Sequence, residues 1–142
     1  MKFTIPLIPK AQKRARSAAV NRGGKFFSVT YKDEAQELAE EKLITFLIKY
    51  RPEILFDGPI LLGVKAYLPI PKSKPKKFKA SALAGEIRPT TKPDLDNLLK
   101  HLKDCCKGIF WLDDKQVVGY LPETGKYYGT PARWEIEIRE MG

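Results

Sequence analysis

The chain predicts a two-layer α/β (α+β) fold, a mixed β-sheet packed against two helices, and three observations predict it. Two segments carry apolar residues at three- and four-residue steps, the period of an amphipathic helix. One segment between them is apolar at odd and even positions alike, as in a central strand. The two terminal segments alternate with period two, as half-buried strands do.

In order, Lys2 to Ile8 places Phe3, Ile5 and Leu7 on one side and reads as a first strand, ending near Pro6 or Pro9 because proline cannot donate to a ladder. Pro9 to Gly24 reads as a basic loop, and Lys25 to Val29 as a short strand or extended arm. From Asp33 to about Tyr50, Ala35, Leu38, Ala39, Leu43, Phe46, Leu47 and Tyr50 form the stripe of a first helix. Thr30 and Asp33 have the spacing of a capping box, and the acids in the first half and the bases at the far end suit the helix dipole. Pro52 stops that helix. Ile60 to Leu68 is the central strand, and Lys72 to Thr91 reads as a long loop without a period. Leu95, Leu98, Leu99, Leu102, Cys105, Cys106 and Ile109 mark a second helix, with Gly108 where a C-terminal cap belongs. Gln116 to Leu121 is a strand, Pro122 to Thr130 a loop, and Ala132 to Arg139 a last strand with Trp134, Ile136 and Ile138 turned inward.

At 142 residues the chain is long enough for one domain, residues 1–142, around a real core, and its 43% hydrophobic content is normal for a globular protein. No apolar run approaches the roughly 18 residues of a membrane span, and the N-terminus lacks a signal-peptide core. Cys105 and Cys106 are adjacent, which suits neither a structural disulfide nor a zinc site. The expectation is a cytoplasmic protein with both thiols reduced and facing the core.

The charge is unevenly placed. The net charge is +9, and residues 1–32 hold no acid while carrying Lys10, Lys13, Arg14 and Arg16 among their bases. A second basic run supplies Lys72, Lys74, Lys76, Lys77 and Lys79. A lysine run by itself is usually a solvated loop. Two acid-free basic stretches flanking an acidic cluster favour a polyanion, and these nine residues are the candidate DNA contacts.

The acidic cluster is Asp94 and Asp96 in Lys92-Pro93-Asp94-Leu95-Asp96-Asn97-Leu98-Leu99-Lys100, then Asp113 and Asp114 after Trp111-Leu112. Mg²⁺ and Mn²⁺ prefer hard oxygen ligands, often one or two carboxylates completed by waters and phosphate oxygens. Residues two apart on a helix face nearly opposite ways, but on an extended segment they face the same way. The two acids can therefore share an ion if Asp94 precedes the helix and Asp96 sits at its N-cap. Lys100, one turn beyond Asp96, is placed to hold a scissile phosphate. Asp113 and Asp114 are both candidate ligands, and the sequence favours neither. Either acidic pair alone is usually helix capping or turn chemistry. The two together, with Lys100 in phase and a basic background, point to a metal-dependent endonuclease. His101 reads as a surface helix residue, and Phe110 and Trp111 as core. Tyr127 and Tyr128 are open to either a packing or a base-stacking reading.

The Lys92–Lys100 block, followed by Gly108-Ile109-Phe110-Trp111-Leu112-Asp113-Asp114-Lys115-Gln116-Val117-Val118, closely resembles the signature of the RusA family of Holliday junction resolvases. Both blocks, their order and their separation match. Weaker similarity extends outward to Ile5-Pro6 and to the closing Trp134–Ile138 strand. The resemblance implies a RusA-like fold and a homodimer of phage or prophage type. It also implies resolution of four-way DNA junctions, in recombination and repair, with Mg²⁺ or Mn²⁺. It implies essential carboxylates at Asp94, Asp96 and Asp114, and a functional lysine at Lys100. The Lys72–Thr91 stretch departs from the family pattern in being longer and more basic. Two rival readings remain: a broader nuclease on branched DNA, and a non-catalytic nucleic-acid-binding module whose acids only cap and turn.

Overall fold

A computed structural model describes residues 1–11, 16–31 and 34–141, with backbone alone over most of 16–31. Its centre is a five-stranded mixed sheet. Strand β4 (Ile60–Leu68) is the hub, pairing antiparallel with β7 (Arg133–Glu140) on one side, and β1 (Lys2–Ile5) pairs antiparallel with β7 at that edge. On the other side of β4, two short strands run parallel to it end to end. β5 (Val117–Tyr120) lies beside its first half and β6 (Gly125–Tyr128) beside its second. The both-parity apolar pattern of residues 60–68 follows from this central place. Ile60, Leu62, Val64, Ala66 and Leu68 face the helical layer, and Gly63 is buried on the opposite face.

Helices α1 (Glu34–Leu47, extended by a 3₁₀ turn over Ile48–Tyr50) and α3 (Leu95–Cys106) cover one face of the sheet. The core between the layers gathers Phe3 and Ile5 of β1, Leu43 and Leu47 of α1, Leu98, Leu102 and Cys106 of α3, and Trp134, Ile136 and Ile138 of β7. The other sheet face is polar, with Lys2 3.4 Å from Glu137 and Arg133 2.8 Å from Glu135. Both cysteines are buried and outside any disulfide, as expected. Among the described residues, no helix is long and apolar enough to cross a membrane.

The structure departs from the sequence reading in several places. The second half of the expected Pro9–Gly24 loop is strand β2 (Arg16–Arg22), paired with β3 (Lys25–Tyr31) in a separate hairpin. Gly23 and Gly24 both have positive φ, 60° and 80°, which a tight two-residue hairpin turn requires. The Lys72–Thr91 loop contains helix α2 (Lys76–Leu83), which starts directly after Pro75. At two turns with only Ala82 buried, it is too short and too exposed to print a period. The Pro122–Thr130 loop contains β6. On α1 the buried line passes through Gln36, Leu43 and Leu47, whereas Leu38 is 54% exposed.

A further departure is His101, which is buried, 2% exposed, and not a surface residue. It continues the Leu98–Leu102–Cys105 stripe of α3 toward α1, where Gln36 Nε2 lies 3.2 Å from its Nδ1. The amide donates, so Nδ1 accepts and the ring proton sits on Nε2. Thr30, the cap in the expected capping box of α1, lies in β3 instead, and its partner Asp33 lies outside the described residues.

Candidate active site

Asp94 is the N-cap residue of α3, with extended backbone (φ −67°, ψ 144°), and its carbonyl accepts the first helical bond from Leu98 N at 3.1 Å. Asp96 is therefore not the N-cap, the place that the sequence reading set as its condition for a shared ion. It lies one residue inside the helix, in the first turn, where the exposed backbone N–H groups favour negative charge. Both carboxylates are exposed, and that of Asp94 makes no capping bond. Lys100 is also exposed, one turn further along α3. The Lys92–Pro93 peptide ahead of them is cis.

The second acidic pair follows α3. The chain turns back through Gly108, whose N–H donates to Trp111 O at 2.6 Å with φ at 83°. Trp111 is fully buried, and its indole N–H donates to Asp114 Oδ1 at 2.8 Å. Asp113 does local turn work, its Oδ1 accepting from Lys115 N at 3.0 Å. That backbone N–H is the main reason its carboxyl is held below the usual range, with Lys115 and Lys107 charges adding to it. The turn is stapled by Gln116. Its Oε1 accepts from Leu112 N and Asp113 N, and its Nε2 donates to Phe56 O at 2.8 Å and Gly58 O at 3.1 Å. The sequence reading missed Gln116, although Asp113-Asp114-Lys115-Gln116 has capping-box spacing with an acid in place of Ser or Thr.

The two acidic pairs lie at opposite ends of α3. Asp114 is close enough to the fully buried Cys106 to help raise its thiol pKa, although burial is the larger cause and Cys105 the next. Asp94 caps the other end, and twelve helical residues span about 18 Å. The sheet gives the same measure: Val117, just past Asp114, pairs with Ile60, whereas Lys126, which binds the chain just before Asp94, pairs with Ala66. Six strand residues span about 20 Å. Among the described residues, no three His, Cys, Asp or Glu side chains gather closely enough to hold a metal ion.

The donor chemistry fits a hard divalent cation all the same. Asp94 and Asp96 are exposed carboxylates at the start of α3, and Asp114 is held by one oxygen. Mg²⁺ commonly takes one or two protein carboxylates and completes its shell with water and phosphate oxygens.

The candidate DNA contacts are divided. Lys10, Lys72, Lys74, Lys76 and Lys77 are exposed and Lys79 is half-buried, the last three on α2. Lys74 stands over the Phe78 ring, 4.9 Å from its centroid. Arg16 begins β2, and Lys13 and Arg14 lie outside the described residues. Tyr127 is engaged by the Arg88 guanidinium, 3.9 Å from its ring centroid, and by Tyr67 at 5.3 Å, and Tyr128 meets Phe78 edge-on at 5.9 Å. Those contacts favour packing for both tyrosines. Also missed were Arg88 and Lys126, which carry no motif and act through backbone carbonyls.

A family model described as endodeoxyribonuclease RusA matches residues 6–139. A protein of Bacillus subtilis (strain 168), named Uncharacterized protein YqaN, is 38% identical over 144 residues, covering 99% of this chain and 96% of the relative. The matched span runs from the end of β1 through α3 and the Trp111–Gln116 turn to β7, taking in both acidic pairs, and so this chain belongs to the RusA endodeoxyribonuclease family.

Proposed function

We propose that this protein is a divalent-metal-dependent endodeoxyribonuclease that resolves four-way DNA junctions by paired, symmetric nicks, acting as a homodimer. The observation that carries the reading is the pair of exposed acids at the start of α3, with Lys100 one turn away, in a chain of net charge +9 that belongs to an endodeoxyribonuclease family.

Asp94 and Asp96 would hold the ion, with Asp114 as a further ligand and Asp113 left to its turn. A bound Mg²⁺ or Mn²⁺ supplies Lewis acidity, lowering the pKa of a water and offsetting charge on the phosphate. The chain's own residues do the rest. Lys100, a compact point charge, binds the scissile phosphate and stabilises negative charge as it builds up on the oxygens. The buried indole of Trp111 fixes the orientation of Asp114. The basic residues of α2 and of the segments around it neutralise phosphates along the arms and set affinity. In the net reaction, one water adds across one phosphodiester bond.

The separation of the acidic pairs supports a dimer. Two α3 helices running antiparallel about a two-fold axis would bring the start of one to the end of the other, completing each carboxylate set across the interface. Apolar surface is available near that end of the molecule, where Leu112 is 65% exposed, Val118 57% and Tyr120 43%, the last two on the edge strand β5. A two-fold assembly also matches two cuts on opposing strands.

The deciding experiment incubates the protein with a four-way junction, a fork, a flap and a linear duplex, each with Mg²⁺ and with chelator. Cleavage of the four-way junction alone, abolished by chelator, is the expected result. Equal cutting of forks and flaps supports a broader structure-specific nuclease. Binding without cutting in Mg²⁺ or Mn²⁺ supports a non-catalytic module and overturns the proposal.

A further inference from the structure

We propose that Lys126 is a positioning residue for the candidate site: its ammonium, carried on β6, fixes the backbone of Thr91–Pro93 and thereby sets where Asp94 and Asp96 hold their carboxylates. The inference rests on the reading that those two acids bind a divalent cation.

Lys126 Nζ donates to Thr91 O at 2.6 Å and to Pro93 O at 2.9 Å. A lysine ammonium is strongly hydrated and its flexible stem has rotamer entropy to lose, so a surface lysine is normally left in water. Here two of its three donors go to carbonyls of one short segment, and that segment leads directly into Asp94. Pro93 O belongs to the peptide plane that carries the Asp94 N–H. Asp94 O, in the next plane, accepts from Leu98 N at 3.1 Å. Both peptide planes flanking Asp94 are therefore held, one by the helix and one by Lys126. With φ and ψ fixed, the carboxylate keeps only its side-chain torsions. Asp96 inherits the same placement, because it sits in the first turn of the helix that Asp94 begins.

The anchor is itself anchored. β6 is parallel to the central strand, with Lys126 opposite Ala66. Arg88, at the other end of the same segment, donates from Nε to Lys126 O at 2.7 Å and stacks its guanidinium on the Tyr127 ring. The Tyr127 hydroxyl donates to Glu123 O at 2.6 Å. Gly125 makes room for Arg88, since a Cβ there would run into the guanidinium. Residues 88–93 are thus clamped to β6 at both ends, Arg88 donating to the strand and Lys126 to the segment. A clamp on the chain entering a ligand pair is the outer-shell support that metal sites need, and losing such support typically costs about 10–100-fold in metal affinity or activity.

The test uses the full-length chain with Lys126→Met, Lys126→Arg and Gly125→Ala. Mn²⁺ binding is followed by electron paramagnetic resonance without DNA, single-turnover cleavage of a four-way junction is measured across Mn²⁺ concentrations, and junction affinity is measured in chelator. Lys126→Met should weaken Mn²⁺ binding about 10–100-fold. It should slow cleavage in step, recover at high Mn²⁺, and leave junction affinity unchanged. Lys126→Arg, which can still donate to two carbonyls, should recover part of the loss. Gly125→Ala, which displaces Arg88 while leaving the lysine in place, should move the same readouts in the same direction and serves if Lys126→Met fails to fold. Wild-type Mn²⁺ affinity in Lys126→Met overturns the inference. So does weakened junction binding with a rate that Mn²⁺ does not recover, which would make Lys126 a DNA contact. If the wild-type chain itself neither binds Mn²⁺ nor cuts, the metal-nuclease reading fails first and this inference with it.

Discussion

Lys100 and His101 are neighbours on α3 with opposite fates, and the difference is a rotation of about 100° around the helix. Lys100 stays in solvent one turn beyond Asp96. Its replacement by alanine should lower the single-turnover cleavage rate by about 10²–10³-fold, the usual cost of removing one electrostatic stabiliser. Junction affinity should change far less, and rapid-quench kinetics beside a binding titration separates the two. His101 turns into the core against Gln36, where burial is the main force holding its pKa below 6.5 and the charges of Glu40 and Asp104 pull it partly back. The folded state therefore favours the neutral ring. Between the lowered folded pKa and 6.5 the unfolded chain binds more protons, so stability is full above 6.5 and falls as pH drops below it. Thermal melts should show that loss in the wild type and less of it in His101→Gln. Glu137 belongs to a lower window. Burial would raise its carboxyl, but hydrogen bonds from Arg139 and Lys2 outweigh that and hold it below 4.5, so its contribution is present above 4.5 and lost as pH falls through the lowered value.

Among the elements, α2 separates a basic run that looks like loop from one that is an ordered face. Pro75 precedes it, Phe78 packs edge-on against Tyr128, and Ala82 is buried, so Lys76 and Lys77 ride on a fixed helix and Lys74, just ahead of it, lies over its Phe78 ring. Replacing Lys74, Lys76 and Lys77 with alanine should weaken binding to four-way and linear DNA alike. It should also flatten the log–log salt dependence by about 2–3 units if all three neutralise phosphates. An unchanged slope in fluorescence-anisotropy titrations would show that α2 stands off the DNA. α1 teaches a different point. Its apolar stripe is genuine, yet Leu38 ends in solvent and Gln36 in the interior, because the facing surface offers an imidazole that an amide can satisfy and a leucine cannot.

For the whole molecule, the decisive feature is the distance between the ends of α3. If each active site draws Asp94 and Asp96 from one subunit and Asp114 from the other, mixing two dead variants restores function. An exchanged mixture of Asp94→Asn and Asp114→Asn chains should regain single nicks on a four-way junction, since one of the two composite sites is then intact. Each variant alone should be nearly inactive while still binding DNA. No recovery on mixing, with exchange verified by mass spectrometry, would place each site within one chain.

The sequence alone determined the α+β class, the central strand, the two large helices and the family. Those features rest on patterns that repeat along the chain: period two in Arg133–Glu140, the three- and four-residue steps of α3, and two motif blocks at a fixed separation. It also placed Phe110 and Trp111 in the core, where the structure has them fully buried. Short or shielded elements escaped it. Two turns of α2 and four residues of β6 are too brief to show a period, and β2 runs through a basic segment with little apolar signal. Contacts made through carbonyls escaped it too, because Lys126 and Arg88 meet a backbone that every residue shares. The tertiary structure alone decided which side of α3 faces α1, and so buried His101. It alone decided how far apart the acidic pairs stand, because that distance is the length of a packed helix and of six rungs of the sheet beside it.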